Sequence, residues 1–179
     1  NELKPGMKDL IKKLFNICNR YVYNGKLNKH QRSKFMYTVG TTKNLKDIIN
    51  FEPNEVILLP LYPQFSTATT QSSLLDWLSR AKELQLKAPT FSICCYATLA
   101  KLACAQAEIL NRVLDIVPDR GKARVLFSAH GLPKKIIKRG DPYQWQVEQS
   151  AQLIADAAGL SDTTWCICYQ SRVGPLKWL

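Results

Sequence analysis

The sequence lacks the signatures of several common functional classes. No apolar run approaches the roughly 20 residues that a membrane-spanning helix requires. No Walker loop and no G-x-G-x-x-G turn occurs, so nucleotide binding has no support. No G-x-S-x-G elbow is present, and no carboxylate follows a predicted strand as the orienting member of a hydrolase triad. The 46% hydrophobic and 22% charged residues form an ordinary globular composition in a chain of 179.

Cysteine never occurs here as C-x-x-C, which excludes zinc-ribbon and thioredoxin-type spacing. Four of the six cysteines lie in apolar, strand-like runs: Cys94, Cys95, Cys166 and Cys168. We expect these to be buried free thiols in a reducing cytoplasm, without a structural zinc or iron–sulfur site. The predicted location is therefore cytoplasmic.

Acidic residues are scarce at the start of the chain. Residues 1–50 hold 11 Lys or Arg against 3 Asp or Glu, and the whole chain has a net charge of +11. Apolar residues at helical spacing predict an amphipathic helix at 7–23 with its basic residues outward. A solvated helix face is the first interpretation of this charge. Loose contact with the inner face of an anionic membrane is the second, and no nucleic-acid partner is expected.

Apolar runs and helical periodicity alternate along the chain. The pattern predicts helices at 7–23, 43–51, 70–87, 98–116 and 143–158, and strands at 34–39, 55–59, 90–96, 123–128 and 164–169. The runs at 55–59 and 123–128 are typical of strands buried within a parallel sheet. The predicted fold class is therefore α/β, a Rossmann-like parallel sheet with helices on both faces.

Irregular segments rich in proline, glycine and small hydroxyl residues follow three of the predicted strands. They are residues 60–70, 129–133 and 170–175. In an open parallel α/β sheet, ligands bind beyond the carboxyl ends of the strands. The sequence therefore predicts a ligand site at these three loops.

His130 is one of only two histidines, and it is predicted to lie immediately past the strand at 123–128. Gly131 follows it and is expected to let the backbone turn sharply. A neutral imidazole is a good iron ligand, and its ordinary pKa of about 6.5 suits proton transfer. A packed histidine in a turn is the open alternative. Asp141 is expected to cap the next helix, and His30 to be a surface residue.

Three segments resemble the ferrochelatase family, in the order and with the spacing typical of that family. Residues 61–66 with 69–73 resemble its "YPQYS…TTGSS" segment, residues 127–133 with 139–143 resemble "FSAHGLP…GDPY", and residues 169–175 with Trp178 and Leu179 resemble "QSRVGPxxWL". The run ICCY at 93–96 is similar to that of alphaproteobacterial, rickettsia-like members. The resemblance spans residues 61–179.

This resemblance implies a chelatase fold of two Rossmann-like lobes with the porphyrin in the cleft between them. Residues 1–30 would be the C-terminal helix and linker of the first lobe, and residues 31–179 most of the second lobe. The chain would then be an internal fragment, incomplete at both ends.

The activity that the resemblance implies is that of a lyase. It would insert Fe²⁺ into protoporphyrin IX, release two protons and form protohaem, the terminal step of haem biosynthesis. His130 would be the catalytic residue and the metal ligand. Four residues would bind the porphyrin or, as an equal alternative, only shape its loops: Tyr62, Phe65, Ser66 and Arg172. Iron is then a substrate, no prosthetic group is implied, and no iron–sulfur cluster is expected, because Thr67 stands where cluster-bearing members have cysteine.

Some positions depart from the family pattern. Gln71 replaces the glycine of "TTGSS", and Met36, Val39 and Gly40 replace residues of a segment similar to the family's "xRYxHP".

The acidic partner of the histidine would lie beyond Leu179, so the isolated fragment is expected to be inactive. A decayed ferrochelatase is the first alternative and a cobalt chelatase of corrin synthesis the second. Protoporphyrin and coproporphyrin both stay open as the substrate.

Overall fold

The structure is a computed structural model that describes residues 42–172 and 174–179. The chain divides into two compact units, residues up to Leu59 with Asp76–Ser92, and Pro60–Leu75 with Ile93–Leu179. None of the described helices combines the length and the apolar character needed to cross a bilayer. Several predictions lie outside the described residues: the helix at 7–23, the strand at 34–39, the lobe boundary at residue 30, and the departures at 36, 39 and 40.

The first unit packs a helix against a short pair of strands. Helix α1 spans Thr42–Phe51, and strands β1 (Val56–Leu58) and β2 (Thr90–Ser92) are parallel. Their buried core is formed by Leu45, Ile48, Val56 and Trp77. The helix predicted at 43–51 and the strand predicted at 55–59 are therefore confirmed. The apolar residues that indicated these two elements, Leu45, Ile48 and Val56, are the ones that are buried.

A π-helical turn at Thr67–Gln71 leads directly into helix α2 at Ser72–Glu83. Ser66 begins the turn, because its backbone is extended and its hydroxyl accepts the amide of Ala68 at 3.1 Å. Gln85 ends the helical segment with a left-handed φ of 53°. Helix α2 is thus shorter at both ends than the helix predicted at 70–87, since capping groups and not apolar spacing set its ends.

The second unit holds the other helices and a second strand pair. Helix α3 spans Ala100–Leu114, β3 Val125–His130, α4 Lys134–Lys138, α5 Tyr143–Ala158 and β4 Trp165–Gln170. Strands β3 and β4 are parallel, with Val125 opposite Trp165 and His130 opposite Gln170. Parallel strands alternating with helices confirm the α/β class. The described strands form two separate pairs, one in each unit.

Helices α3 and α5 contact each other, and both bury small side chains. Ala103 and Ala107 on α3, and Ala151 and Ala155 on α5, are buried. Alanine loses almost no side-chain entropy when it is buried, so two alanine-lined helices approach closely at low cost. Helix α5 ends at Gly159, whose φ of 69° forms a left-handed cap. The predicted range of 143–158 is confirmed.

The β3–β4 pair is covered on one face only in the described part of the chain. Phe127 and Ala129 are half-buried on the side of β3 that lines a cavity with residues of α5. Leu126, on the other face, is 60% exposed. The prediction of a fully buried strand at 123–128 is therefore wrong for one face, because the described residues place no helix over it.

The prediction of buried thiols is also wrong in part. The five described cysteines are free, but Cys94, Cys104 and Cys166 are exposed, and Cys95 and Cys168 are half-buried. Strand β2 ends at Ser92, so the thiols at 94 and 95 lie beyond the strand in which burial was expected.

Candidate functional site

The prediction that His130 lies just past its strand is wrong, because β3 extends to residue 130 and His130 is its last residue. His130 is exposed. The Gly131 amide donates to the Gln170 carbonyl at 2.7 Å. A Cβ at position 131 would lie only 2.9 Å from that oxygen, and the φ of Gly131 is not left-handed. The expected reason for this glycine is therefore corrected: it permits two backbones to approach closely.

Backbone hydrogen bonds join the loops that follow β3 and β4. The Lys134 amide donates to the Lys177 carbonyl at 2.8 Å, and the Leu179 amide donates to the Leu132 carbonyl at 3.0 Å. Ser171, directly after β4, has a left-handed φ of 68°, a conformation that is costly for a non-glycine residue and typical of functional loops. Two of the three family-like segments thus meet at the end of β3.

The third segment, residues 60–66, is fixed against helix α5. The Phe65 amide donates to Gln146 Oε1 at 2.6 Å, and Gln64 Nε2 donates to Ser150 Oγ at 2.9 Å. Gln146 and Ser150 are four residues apart on one helix, so they present their side chains to the same side. The loop after β1 is therefore attached to the helix whose first turn lies near His130.

Tyr96 fixes the same loop from a second direction. Its hydroxyl donates to the Pro60 carbonyl at 2.7 Å, and its amide donates to the Pro63 carbonyl at 2.8 Å. Burial raises the pKa of the Tyr96 hydroxyl. The hydroxyl consequently stays protonated at neutral pH and remains a hydrogen-bond donor.

Asp141 is a buried acid between this loop and helix α5. Its Oδ2 accepts the Ser66 hydroxyl at 3.0 Å, and the amide and hydroxyl of Thr67 at 2.7 and 2.6 Å. Its Oδ1 accepts the Tyr143 amide at 2.9 Å, which confirms the predicted helix cap. Burial alone would raise the pKa of Asp141, but the hydrogen bonds from Thr67, Tyr143 and Ser66 outweigh it and lower that pKa.

Tyr143 connects this carboxylate to His130. The Tyr143 amide bonds Asp141, and its hydroxyl donates to the backbone carbonyl of His130 at 2.9 Å. Burial raises the pKa of the Tyr143 hydroxyl, so the hydroxyl remains a hydrogen-bond donor at neutral pH. We call Ser66, Thr67, Asp141 and Tyr143 the Asp141 network.

A cavity of about 320 Å³ lies beside His130. Residues 127–130 of β3 form one wall, and Tyr143, Val147 and Ser150 of α5 form another. This volume is at the lower end of the range for small-molecule sites, which is about 300–1,000 Å³. Both polar and apolar residues line the cavity, and His130 is one of them.

The four predicted porphyrin residues differ in exposure. Tyr62 and Arg172 are exposed, Phe65 is half-buried, and Ser66 is completely buried. Because the Ser66 hydroxyl is engaged by Asp141 and Ala68, the geometry favours the loop-structuring alternative for Ser66. Porphyrin contact by the other three stays a prediction.

Within residues 42–172 and 174–179, no group of three His, Cys, Asp or Glu side chains could hold a metal ion. Resident metal sites in proteins use several such ligands. His130 is therefore not part of a three-ligand metal site among the described residues.

Gln71, where the family pattern has glycine, is the last residue of the π-helical turn. Its amide donates to the Ser66 carbonyl at 3.0 Å, and its φ is not left-handed. Glycine is therefore not required by the backbone at this position, and Gln71 introduces no strain.

Sequence reasoning missed the residues that fix the loops: Tyr96, Tyr143, Gln146 and Ser150. A signal existed for Gln146 and Ser150, because both border the apolar positions Val147 and Ala151 on α5 and are polar where burial is expected. The tyrosine contacts join segments far apart in the chain, and no local pattern indicates them.

Fold and site together define a class of protein: an α/β protein with one histidine at the carboxyl end of a parallel strand, among three fixed loops. The family model for ferrochelatase matches residues 36–179. The chain is 46% identical over 136 residues to the ferrochelatase of Pelagibacter ubique, covering 75% of this chain and 38% of that protein. It is 46% identical over 135 residues to the ferrochelatase of Wolbachia pipientis wMel (75% and 43%) and 42% identical over 137 residues to that of Rickettsia bellii (76% and 37%).

The chain belongs to the ferrochelatase family, because the family model matches most of its length. The predicted similarity to alphaproteobacterial, rickettsia-like members is confirmed by these relatives. The chain spans less than half the length of the curated relatives it matches, between 37% and 43% of the three named.

Proposed function

We propose that the protein to which this chain contributes is a ferrochelatase that inserts Fe²⁺ into protoporphyrin IX and releases two protons to form protohaem. The observation that carries the proposal is the convergence of three family motifs within one unit around an exposed histidine. Family membership supports the reaction class, and the exposed imidazole at the end of β3 supports the chemistry.

In this proposal His130 handles both the metal and the protons. A neutral imidazole nitrogen has one lone pair, which can coordinate Fe²⁺ or accept a pyrrole proton at different stages. Two N–H protons must leave as two Fe–N bonds to the former pyrrole nitrogens form, so the charge on the macrocycle balances the charge of the ion. The fixed backbone of His130 would keep the imidazole at a constant place during this exchange.

The remaining predicted residues divide between contact and support. We propose that Phe65 packs on the macrocycle, and that Tyr62 and Arg172 border it, since both are exposed in the loops that follow β1 and β4. Ser66 would act by holding the loop in shape through Asp141. Arg172 offers a permanent positive charge to a porphyrin carboxylate.

The isolated segment of 179 residues is proposed to be inactive by itself. The described residues contain no group of three His, Cys, Asp or Glu side chains around His130 that could hold a metal ion, and the matched relatives are more than twice as long as the segment they share with it. The unstrained backbone at Gln71 supports an intact enzyme over a decayed one. A cytoplasmic location with loose peripheral membrane contact is also proposed, and rests on the 11 basic residues among the first 50.

The test expresses the full open reading frame that contains residues 1–179 and follows metalloporphyrin formation from protoporphyrin with Fe²⁺ or Zn²⁺. We expect His130→Ala to lower the rate by about 100-fold or more, the usual contribution of a positioned acid–base group. The matched control is His30→Ala, which removes the other histidine and should leave the rate unchanged. Full activity in His130→Ala would refute the proposal.

A further inference from the structure

We propose that Asp141 is a positioning residue that holds the loop at 60–70 and the backbone of His130 in one fixed arrangement. Capping helix α5 requires only the bond from the Tyr143 amide to Oδ1. The other oxygen accepts three further hydrogen bonds, all from Ser66 and Thr67, which are more than 70 positions away in the chain. A cap alone does not explain these three bonds.

The donors at Oδ2 are arranged for a charged acceptor. Two hydroxyls and one amide point at a single oxygen, and the amide belongs to the first turn of a helical segment, where the backbone partial charge is positive. Asp141 is only 7% exposed, and a buried carboxylate is tolerated when hydrogen bonds satisfy it. The Asp141 carboxylate therefore supplies a negative charge at the start of the helical segment that begins at Thr67. Its hydrogen bonds fix the position at which the loop leads into that segment.

The other side of the Asp141 network reaches His130. The Tyr143 backbone is fixed by Oδ1 of Asp141, and the Tyr143 hydroxyl fixes the His130 carbonyl. No described residue hydrogen-bonds the exposed His130 imidazole itself, so its place depends on the backbone. A shift of Asp141 would therefore move the loop and the histidine together.

Asn at position 141 separates capping from positioning. Asparagine caps helices as well as aspartate does, and its amide oxygen can still accept the Tyr143 amide. Its NH₂ group would then face three donors and could accept none of them. We expect Asp141→Asn to keep the helix and to release the loop. Asp119→Asn is the matched control, because Asp119 is an exposed acid paired with Lys122.

Two further variants each act on one side of the Asp141 network, either the side that reaches His130 or the side that holds the loop at 60–70. Tyr143→Phe removes the bond to the His130 carbonyl and leaves the backbone cap in place. Thr67→Val removes one hydroxyl donor at nearly constant volume, and Thr67→Ser restores it. These variants keep the proposal testable if Asp141→Asn does not fold.

The first readout is NMR of the histidine side chains in the product of the full open reading frame, where the His130 and His30 signals are assigned by their loss in His130→Ala and His30→Ala. We expect Asp141→Asn and Tyr143→Phe to shift and broaden the His130 signals and to leave the His30 signals unchanged. Asp119→Asn should change neither. A folded Asp141→Asn chain with wild-type His130 signals would overturn the proposal, as would wild-type signals in Tyr143→Phe.

The second readout is kinetic, in the full open reading frame, and its meaning rests on the proposed function. We expect Tyr143→Phe to lower kcat about tenfold with little change in KM for porphyrin, since small misplacements of a reacting group are costly. Thr67→Val should mainly raise that KM, and Thr67→Ser should restore it. Asp141→Asn should change both constants. If His130→Ala keeps full activity while the NMR changes occur, the proposed function fails and the positioning role stands.

Discussion

Gly131 has no room for a side chain. Its Cβ would lie 2.9 Å from the Gln170 carbonyl oxygen, which the β3–β4 ladder holds in place. We expect Gly131→Ala to lower the free energy of unfolding by about 1–3 kcal/mol, measured by urea denaturation. Gly121→Ala is the control, because the nearest atom to its Cβ would be a side-chain oxygen of the exposed Asp119 at 3.4 Å, an ordinary contact distance. Equal stability of the two variants would contradict the close approach.

Asp141 makes the stability of the chain depend on pH. Its pKa is lower in the folded chain than the unfolded value of about 3.9, so the folded state binds fewer protons. The stabilisation is complete above that value and is lost as pH falls through the folded pKa. We expect acid unfolding of wild type to steepen below about pH 4, and Asp141→Asn to lack this dependence. Parallel acid-unfolding curves would disagree with the hydrogen bonds described.

At the residue scale, the sequence indicated His130 as a candidate site residue from its place after an apolar run and from the segment around it. It also identified the cap function of Asp141, because Asp-Pro before a helix is a local signal. It could not identify the three other bonds to Asp141, since Ser66 and Thr67 approach it only in the folded chain. Local chemistry was predictable here, and long-range contacts were not.

Strand β4 contains a hydroxyl without a hydrogen-bond partner among the described residues, that of Tyr169. Burial, followed by the effects of Glu148 and Tyr143, raises the pKa of Tyr169 to about 12. Removing an unsatisfied buried hydroxyl removes a desolvation cost, so we expect Tyr169→Phe to be stabilising by about 1 kcal/mol. Tyr143→Phe, which loses a formed bond, should be destabilising by about 1 kcal/mol in the same urea titration. Equal losses in both variants would show that the Tyr169 hydroxyl is satisfied.

At the element scale, helices with clear apolar spacing and a terminal glycine were predicted most accurately. Helix α5 matches its predicted range, because Gly159 sets the end and the Asp-Pro pair sets the start. The π-helical turn was missed, since it depends on Ser66 and Asp141 and not on periodicity. Helix α4, with five residues, was missed because one short turn gives no periodic signal.

For the whole molecule, the α/β class and the three loops at strand ends followed from the sequence. The order of strands did not, because pairing is a tertiary property: β1 pairs with β2, and β3 with β4. The exposure of Leu126 was not predictable either, since an apolar run does not tell which of its faces a helix covers. The family resemblance led to the proposed reaction, and the structure supplied the contacts that connect the family motifs.

The central claim is that His130 acts on a bound tetrapyrrole and does not merely help to bind it. The most direct measurement is a single turnover, in which the product of the full open reading frame is loaded with protoporphyrin and then mixed with Fe²⁺. We predict that His130→Ala still binds porphyrin with wild-type affinity but inserts iron at least about 100-fold more slowly. Iron insertion by the loaded variant at the wild-type rate would contradict the claim.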